Sequence, residues 1–209
     1  MSISEDSYHY PVTPEAYLAR ARTRLEEDTA SSLFYAALEI RCFVEAQQDL
    51  YLWAQKEYVK SIPKRWKIGA QGKALKKVFE SEAIQHVSWL SGDVVFMESY
   101  HVPVSSDLRN SAEKLGELLH SQEAFRKPDD DWWQNTRKKL IDSYEIAWQC
   151  SQSTLLSPLA FKNGDIVGNL MIGQDQSKAL NETMSQGTKI TLHVRYLDDP
   201  PESWRSELA

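Results

Sequence analysis

Long apolar runs are missing from this sequence. None approaches the ~20 residues that a membrane-spanning helix needs, so no membrane partner is expected. Cysteine is nearly missing too: Cys42 and Cys150 both fall in stretches that read as helices, and no Cys-x-x-Cys pair gives zinc spacing. They are expected to be small reduced core residues, neither a disulfide nor a metal site. The first residues, Met1 to Ser7, carry neither a basic start nor an apolar stretch, which points to a cytoplasmic protein. There is no Gly-rich phosphate loop, no Gly-x-Ser-x-Gly and no His-Glu-x-x-His. The five histidines (His9, His86, His101, His120 and His193) are scattered without ligand spacing, so no metal and no cofactor is expected. His86 and His101 flank an irregular segment, and ordinary surface or satisfied histidines are the favoured reading of both. A surplus of cations is lacking as well. With net charge −6 and pI near 5.4, the chain as a whole is not built for non-specific nucleic-acid binding, although a local basic face is compatible with that balance.

What the chain does contain is helical periodicity. Between Ser31 and Trp53, Leu33, Ala36, Ala37, Ile40, Phe43, Val44, Leu50 and Tyr51, followed by Ala54, fall in one broad arc, wider than a one-sided amphipathic helix needs. This is the pattern of a central helix with neighbours on several sides. Glu39 lies at the edge of that arc and is expected to be at least half buried, engaged by a donor from another helix, with Arg109, Lys114 or His120 as the expected partner. Arg41 and Glu45 are spaced to pair across one turn.

Thr13-Pro14-Glu15 supplies a capping hydroxyl, a proline at the first helical position and an acid in the first turn, so a helix starts there. Tyr17, Leu18, Ala21 and Leu25 are its inner stripe. Glu26-Glu27-Asp28 oppose the negative end of its dipole, and Ser31 or Ser32 is expected to cap the central helix. That helix is expected to run to about Val59 and to end before Pro63. The segment Pro63-Lys-Arg-Trp-Lys67 is basic and aromatic, and reads either as a phosphate contact or, more simply, as a solvated connector. Lys73 to Glu80 reads as a short helix, while residues 83–104 stay open between helix and strand.

A second long helix is expected from Ser105 or Ser106, with Leu108, Ser111, Ala112, Leu115, Leu118 and Leu119 inward and Arg109, Glu113 and His120 opposite. Gly116 on its boundary costs about 1 kcal/mol relative to alanine, which points to close approach of another group. The Pro128-Asp-Asp-Asp131 run caps a third, Trp132 to about Ser153. After Thr154 the composition changes: Asn163-Gly164 lies between apolar runs as a hairpin signal, Ser177 to Met184 reads as one or two helical turns, and Lys189 to Tyr196 alternates with Ile190, Leu192, Val194 and Tyr196 on one face. The expected fold is mainly α: an antiparallel helical bundle over 13–153, an N-terminal arm over 1–12, and a small β-containing extension over 154–209 whose three strands rest on the bundle.

Two stretches, Tyr35-Ala-Ala-Leu-Glu-Ile-Arg-Cys-Phe-Val-Glu45 and Lys114-Leu-Gly-Glu-Leu-Leu-His120, resemble the signature positions of bacterial HEPN-like proteins (higher eukaryotes and prokaryotes nucleotide-binding). The resemblance covers residues 14–153 and implies an antiparallel bundle, a homodimer and a setting in phage defence or a toxin–antitoxin pair. It marks Glu39, Arg41, Lys114 and His120 as family-pattern residues, and with Arg109 and Gly116 beside them as the lining of a binding cleft. Active ribonucleases of that superfamily carry an Arg followed four to six residues later by a His, and no Arg here has that spacing. The nearest pair, Arg109 and His120, stands eleven residues apart, about 16 Å along a helix axis. The favoured function is therefore non-catalytic binding of a nucleotide, RNA or protein partner. The alternatives are a divergent metal-independent ribonuclease using Arg109 and His120 across a dimer, and a protein-interaction scaffold.

Overall fold

The computed structural model describes residues 9–208 apart from 60, 80, 81, 121, 123, 124, 163, 164, 168–170 and 188. The described elements run α1 (Pro14–Glu27), α2 (Ala30–Ala54), α3 (Ile68–Val78), β1 (Ile84–Ser91), β2 (Val94–His101), α4 (Ser106–Leu118), α5 (Asp131–Ser151), β3 (Ala160–Lys162), β4 (Asp165–Val167), α6 (Gln174–Ser185) and β5 (Ile190–Leu197). The protein is thus mainly helical with a small antiparallel sheet, and no described helix is long and apolar enough to cross a membrane.

Local chemistry places the helix ends. Thr13 Oγ1 accepts from the Ala16 amide at 3.3 Å ahead of Pro14, and Asp28, at φ 47°, turns the chain out of α1. The cap of α2 is Thr29 rather than Ser31 or Ser32. Asp28 reverses the chain so tightly that α2 is under way by Ala30, and Ser32 instead returns its hydroxyl to the Thr29 amide at 2.8 Å, completing a capping box. α2 is then the hub. Leu33, Ala36, Ala37, Ile40, Phe43, Val44, Tyr51 and Ala54 are all buried, as the broad arc requires, whereas Leu50 is only half-buried and Leu52 is fully buried. The helix stops at Ala54, short of Val59, where Gln55, Lys56 and Tyr58 tighten into three-residue turns.

α1, α3, α4 and α5 all pack on α2. Ser105 caps α4, and Asp130 caps α5 through the Trp132 amide at 2.9 Å. α3 begins five residues earlier than its apolar stripe alone indicates, because Ile68, Gln71 and Gly72 face inward beside Leu75. Gly72 is required: a Cβ there would stand 2.6 Å from Cδ and Nε of Arg109.

The sheet departs from the expected grouping. Its order is β2-β1-β5, all antiparallel, so two strands come from the 83–104 segment and only one from the C-terminal part. β3 and β4 pair separately with Lys162 opposite Asp165, and the Asn163-Gly164 turn signal lies outside the described residues. β1 is the middle strand and nearly all of it is buried. One of its faces carries Val87 and Trp89 into a second small core with Leu155 and Leu159, partly covered by Leu180 of α6, which is a full three-turn helix. Along β5, Ile190, Leu192 and Val194 point into that core as expected, but Tyr196 is exposed because it lies opposite Gln85, beyond the core's edge.

Candidate functional site

The expected cleft residues separate into different surroundings. Glu39 is buried, as its edge position in the arc requires, yet its partners come from the other side of α2. Tyr10 Oη donates to its Oε1 at 2.9 Å and Arg20 Nε at 3.0 Å, while the Arg20 guanidinium lies 3.8 Å over the Tyr10 ring and donates from Nη1 to the Pro11 carbonyl. Arg109, Lys114 and His120 do not reach it, because the Glu39 edge of α2 is covered by α1 and the arm rather than by α4.

Arg41 and Gly116 do meet. Arg41 pairs with Glu45 at 3.0 Å, donates from Nη1 to the Ala112 carbonyl at 3.2 Å and from Nη2 to the Trp66 carbonyl at 3.4 Å. A Cβ on residue 116 would stand 2.7 Å from that Nη1, so the glycine marks the approach of a guanidinium to the α4 backbone. Burial pushes the Glu45 carboxyl up, and Arg41 opposes that push.

Arg109 is buried and already committed. It donates to the Val104 carbonyl and, at 2.6 Å, to Glu82 Oε1, a carboxylate that also takes Lys76 at 3.1 Å and the Ser106 amide at 3.0 Å. Burial by itself raises the Glu82 carboxyl, and the Arg109, Lys76 and Ser106 donors together outweigh it, holding the group at about 2. His120 lies exposed beyond Leu118, the last residue of α4, so the two residues of the candidate catalytic pair do not share one helix. Lys114 lines a groove between α4 and α5 with Trp132, Thr136 and Lys139.

His86, His101, Cys42 and Cys150 are largely enclosed by neighbours. His101 is fully buried between the Tyr51 and Phe79 rings, with Nδ1 against the Leu155 carbonyl at 3.1 Å, and burial pulls its imidazole down to about 4. His86 stacks on Tyr100 and receives Arg195 at Nδ1 on the other face of the sheet, so His86 and His101 do not meet. Burial pushes the thiols of Cys42 and Cys150 up to about 11 and about 12, as befits core residues. Among the described residues no group of three or more His, Cys, Asp or Glu is placed to hold a metal ion.

One surface is of a different kind. Residues 56–77 hold eight of the chain's 24 Lys and Arg and, in Glu57, one of its 30 Asp and Glu. That is a local charge of +7 within a chain of net −6, leaving −13 for everything else. Lys60 lies outside the described residues; the other seven cations are all exposed. Three aromatics stand among them, Trp53, Tyr58 and Trp66, each more than half exposed. Lys56 Nζ lies 5.8 Å from the Trp53 ring centroid and Lys64 Nζ 4.9 Å from that of Trp66. Arg65 pairs with Asp49 at 2.9 Å and Lys76 with Glu82, whereas Lys67, Lys73 and Lys77 have no ion-pair partner among the described residues. Between the chain leaving α2 and the outer face of α3 runs a groove of ≈ 470 Å³. The segment Pro63–Lys67 was the visible part of this surface in the sequence. A charge count across residues 56–77, set against the acidic remainder, is the signal that delimits the whole.

Neither family models, nor curated proteins, nor solved structures give a match to this chain.

Proposed function

We propose that this chain is a non-catalytic, HEPN-like binding protein that engages nucleic acid, with RNA the polymer the resemblance implies, through the basic and aromatic face around α3. The observation that carries the reading is the segregation of charge: +7 over residues 56–77 against −13 elsewhere, with exposed Trp53, Tyr58 and Trp66 interleaved. A polyanion is held by unpaired cations and its bases by aromatic faces, and the acidic remainder repels it from the rest of the surface. Binding rather than cleavage is supported by Arg109, whose guanidinium serves Glu82 and the Val104 carbonyl instead of an open phosphate site. A second copy of the chain is the protein partner that the resemblance implies.

The test is fluorescence anisotropy of labelled RNA with purified protein. With four phosphates neutralised on a single strand, affinity is expected to fall about 50-fold between about 50 and about 200 mM salt. The RNA is expected to stay intact, with His120→Ala as control. Absence of binding at the lower salt overturns the proposal, and cleavage that disappears in His120→Ala replaces it with the ribonuclease reading.

A further inference from the structure

The groove beside α3 has a form that duplex binding does not call for. One wall is Tyr58, Val59, Ser61 and Pro63; the other is the outer face of α3, with Ala70, Lys73, Ala74, Lys77 and Val78. Its surface is chiefly apolar, and its two cations, Lys73 and Lys77, are exposed on the α3 wall. They are four residues apart on one helix, about 6 Å along its axis, and neither has an ion-pair partner among the described residues. The small side chains of Ala70 and Ala74 on the same wall keep the space open, and ≈ 470 Å³ lies within the range of small-ligand pockets, roughly 300–1,000 Å³. The Tyr58 ring stands more than half exposed on the opposite wall.

Resting on the nucleic-acid reading above, we infer that this groove receives an unstacked base from a single-stranded segment: the base lies between Tyr58 and the Ala70 and Ala74 side of the α3 wall, and the adjoining phosphates lie on Lys73 and Lys77. A duplex offers a protein side chain its phosphates, sugars and base edges but keeps its base faces stacked inside, so a slot for a base face is of no use to it. A single strand offers both π-faces and backbone, and stacking on one aromatic ring contributes about 1–3 kcal/mol per base. An anionic membrane surface would use the same lysines and aromatics but has no base to fill the slot.

The experiment uses the full chain and strands of about 12 nucleotides, single-stranded RNA, the corresponding RNA duplex and single-stranded DNA, together with phosphatidylcholine/phosphatidylserine vesicles. Single strands are expected to bind at least about tenfold more tightly than the duplex, and binding of either RNA or DNA in single-stranded form supports the proposal while identifying the polymer. Tyr58→Ala is expected to weaken the single strand about 10- to 100-fold without changing the salt slope. Ala70→Leu, a substitution at an exposed position that fills the slot, is expected to do the same. The double variant Lys73→Ala/Lys77→Ala is expected to reduce the salt slope by about 1.4. Thermal melts confirm that each variant is folded.

If duplex and single strand bind alike and Tyr58→Ala and Ala70→Leu are silent while the lysine variant weakens both, the slot inference is overturned and the nucleic-acid reading stands. If no strand binds, both are overturned. Vesicle binding that competes with the strands and depends on the same residues assigns the face to a membrane and overturns both.

Discussion

The two sides of α2 are held by opposite means. On one side α1 buries Tyr17, Leu18, Ala21 and Leu25 in the core it shares with α2, and its outer arginines are matched within the protein. Arg20 pairs with Glu39, Arg22 with Glu26 and Glu207, and Arg24 with Glu27, while Arg137 reaches back to Asp28 at the end of α1. On the other side α3 packs through a mixed surface. Gln71 is fully buried with both side-chain amide atoms unpartnered among the described residues, and Gln48 reaches the Ile68 carbonyl at 3.4 Å with its own oxygen left over. Arg109 passes over Gly72. The outer cations of α3 are exposed, and two of them, Lys73 and Lys77, have no ion-pair partner among the described residues. Charge answered inside the molecule contributes to its structure; charge left unanswered is available to a partner. An element packed through unpaired amides gives up stability for each of them, about 1–3 kcal/mol per orphaned group.

The contrast breaks most readily in the core. Leu25→Ala is expected to cost about 4 kcal/mol and Ile68→Ala about 2 kcal/mol in denaturant unfolding, since α1 meets α2 more extensively than α3 does and a cavity on that side is expected to collapse less. Equal losses would show the two sides to be equally well packed. Next comes pH. His101, whose ring meets Phe79 at the end of α3, is held near 4 by burial, against about 6.5 in an unfolded chain, so the unfolded state takes the proton first as pH falls. Stability is therefore full above about pH 6.5 and declines toward pH 4, by about 2–3 kcal/mol between about pH 7 and about pH 4.5. His101→Gln is expected to flatten that part of the profile, and an unchanged slope in this variant would locate the titrating group elsewhere.

Gln71→Met sharpens the comparison further. Replacing an unpaired buried amide by a thioether of similar size is expected to raise the unfolding free energy by about 1 kcal/mol, and a loss of that size would mean that the amide is satisfied after all. The smallest effect is on the matched side. Arg24→Ala removes a solvent-exposed pair three residues apart and is expected to change stability by less than about 0.5 kcal/mol, measured by the same melts.

The helices were legible wherever the pattern is local. Thr13-Pro14, the stripe of α1 and most of the broad arc of α2 reappear, because a cap or a stripe needs only neighbours in sequence. The strands of 84–101 were not legible. β1 is buried on both faces, so it shows no alternation, and its interior holds Gln85, His86 and Ser88, which read as surface residues. Gln85 is tolerated there because its amide exchanges hydrogen bonds with the backbone of Leu159, 74 residues away, which no sequence window contains. The site was legible in the same partial way. Burial of Glu39 and close approach at Gly116 followed from helical phase, whereas their partners, Arg20 with Tyr10 and Arg41, depend on which helix lies on which side. Arg109 read as an outer cation because its partner Glu82 stands 27 residues away, between the short helix expected to end at Glu80 and the stretch 83–104, where no local pattern points to it.

The sheet order sets a timetable for synthesis. β1 and β2 leave the ribosome as a hairpin, but β5, which closes the other edge of β1, follows roughly 100 residues later. At about 5–20 residues per second that is an interval of roughly 5–20 s during which one ladder of β1 has no partner and Val87 and Trp89 lack the part of their cover that Ile190, Leu192 and Val194 supply. The four helices that pack on α2 are complete before that interval ends, so the nascent chain is a finished bundle carrying an open strand, and its last eight-residue strand acts as the latch that a growing polypeptide must wait for.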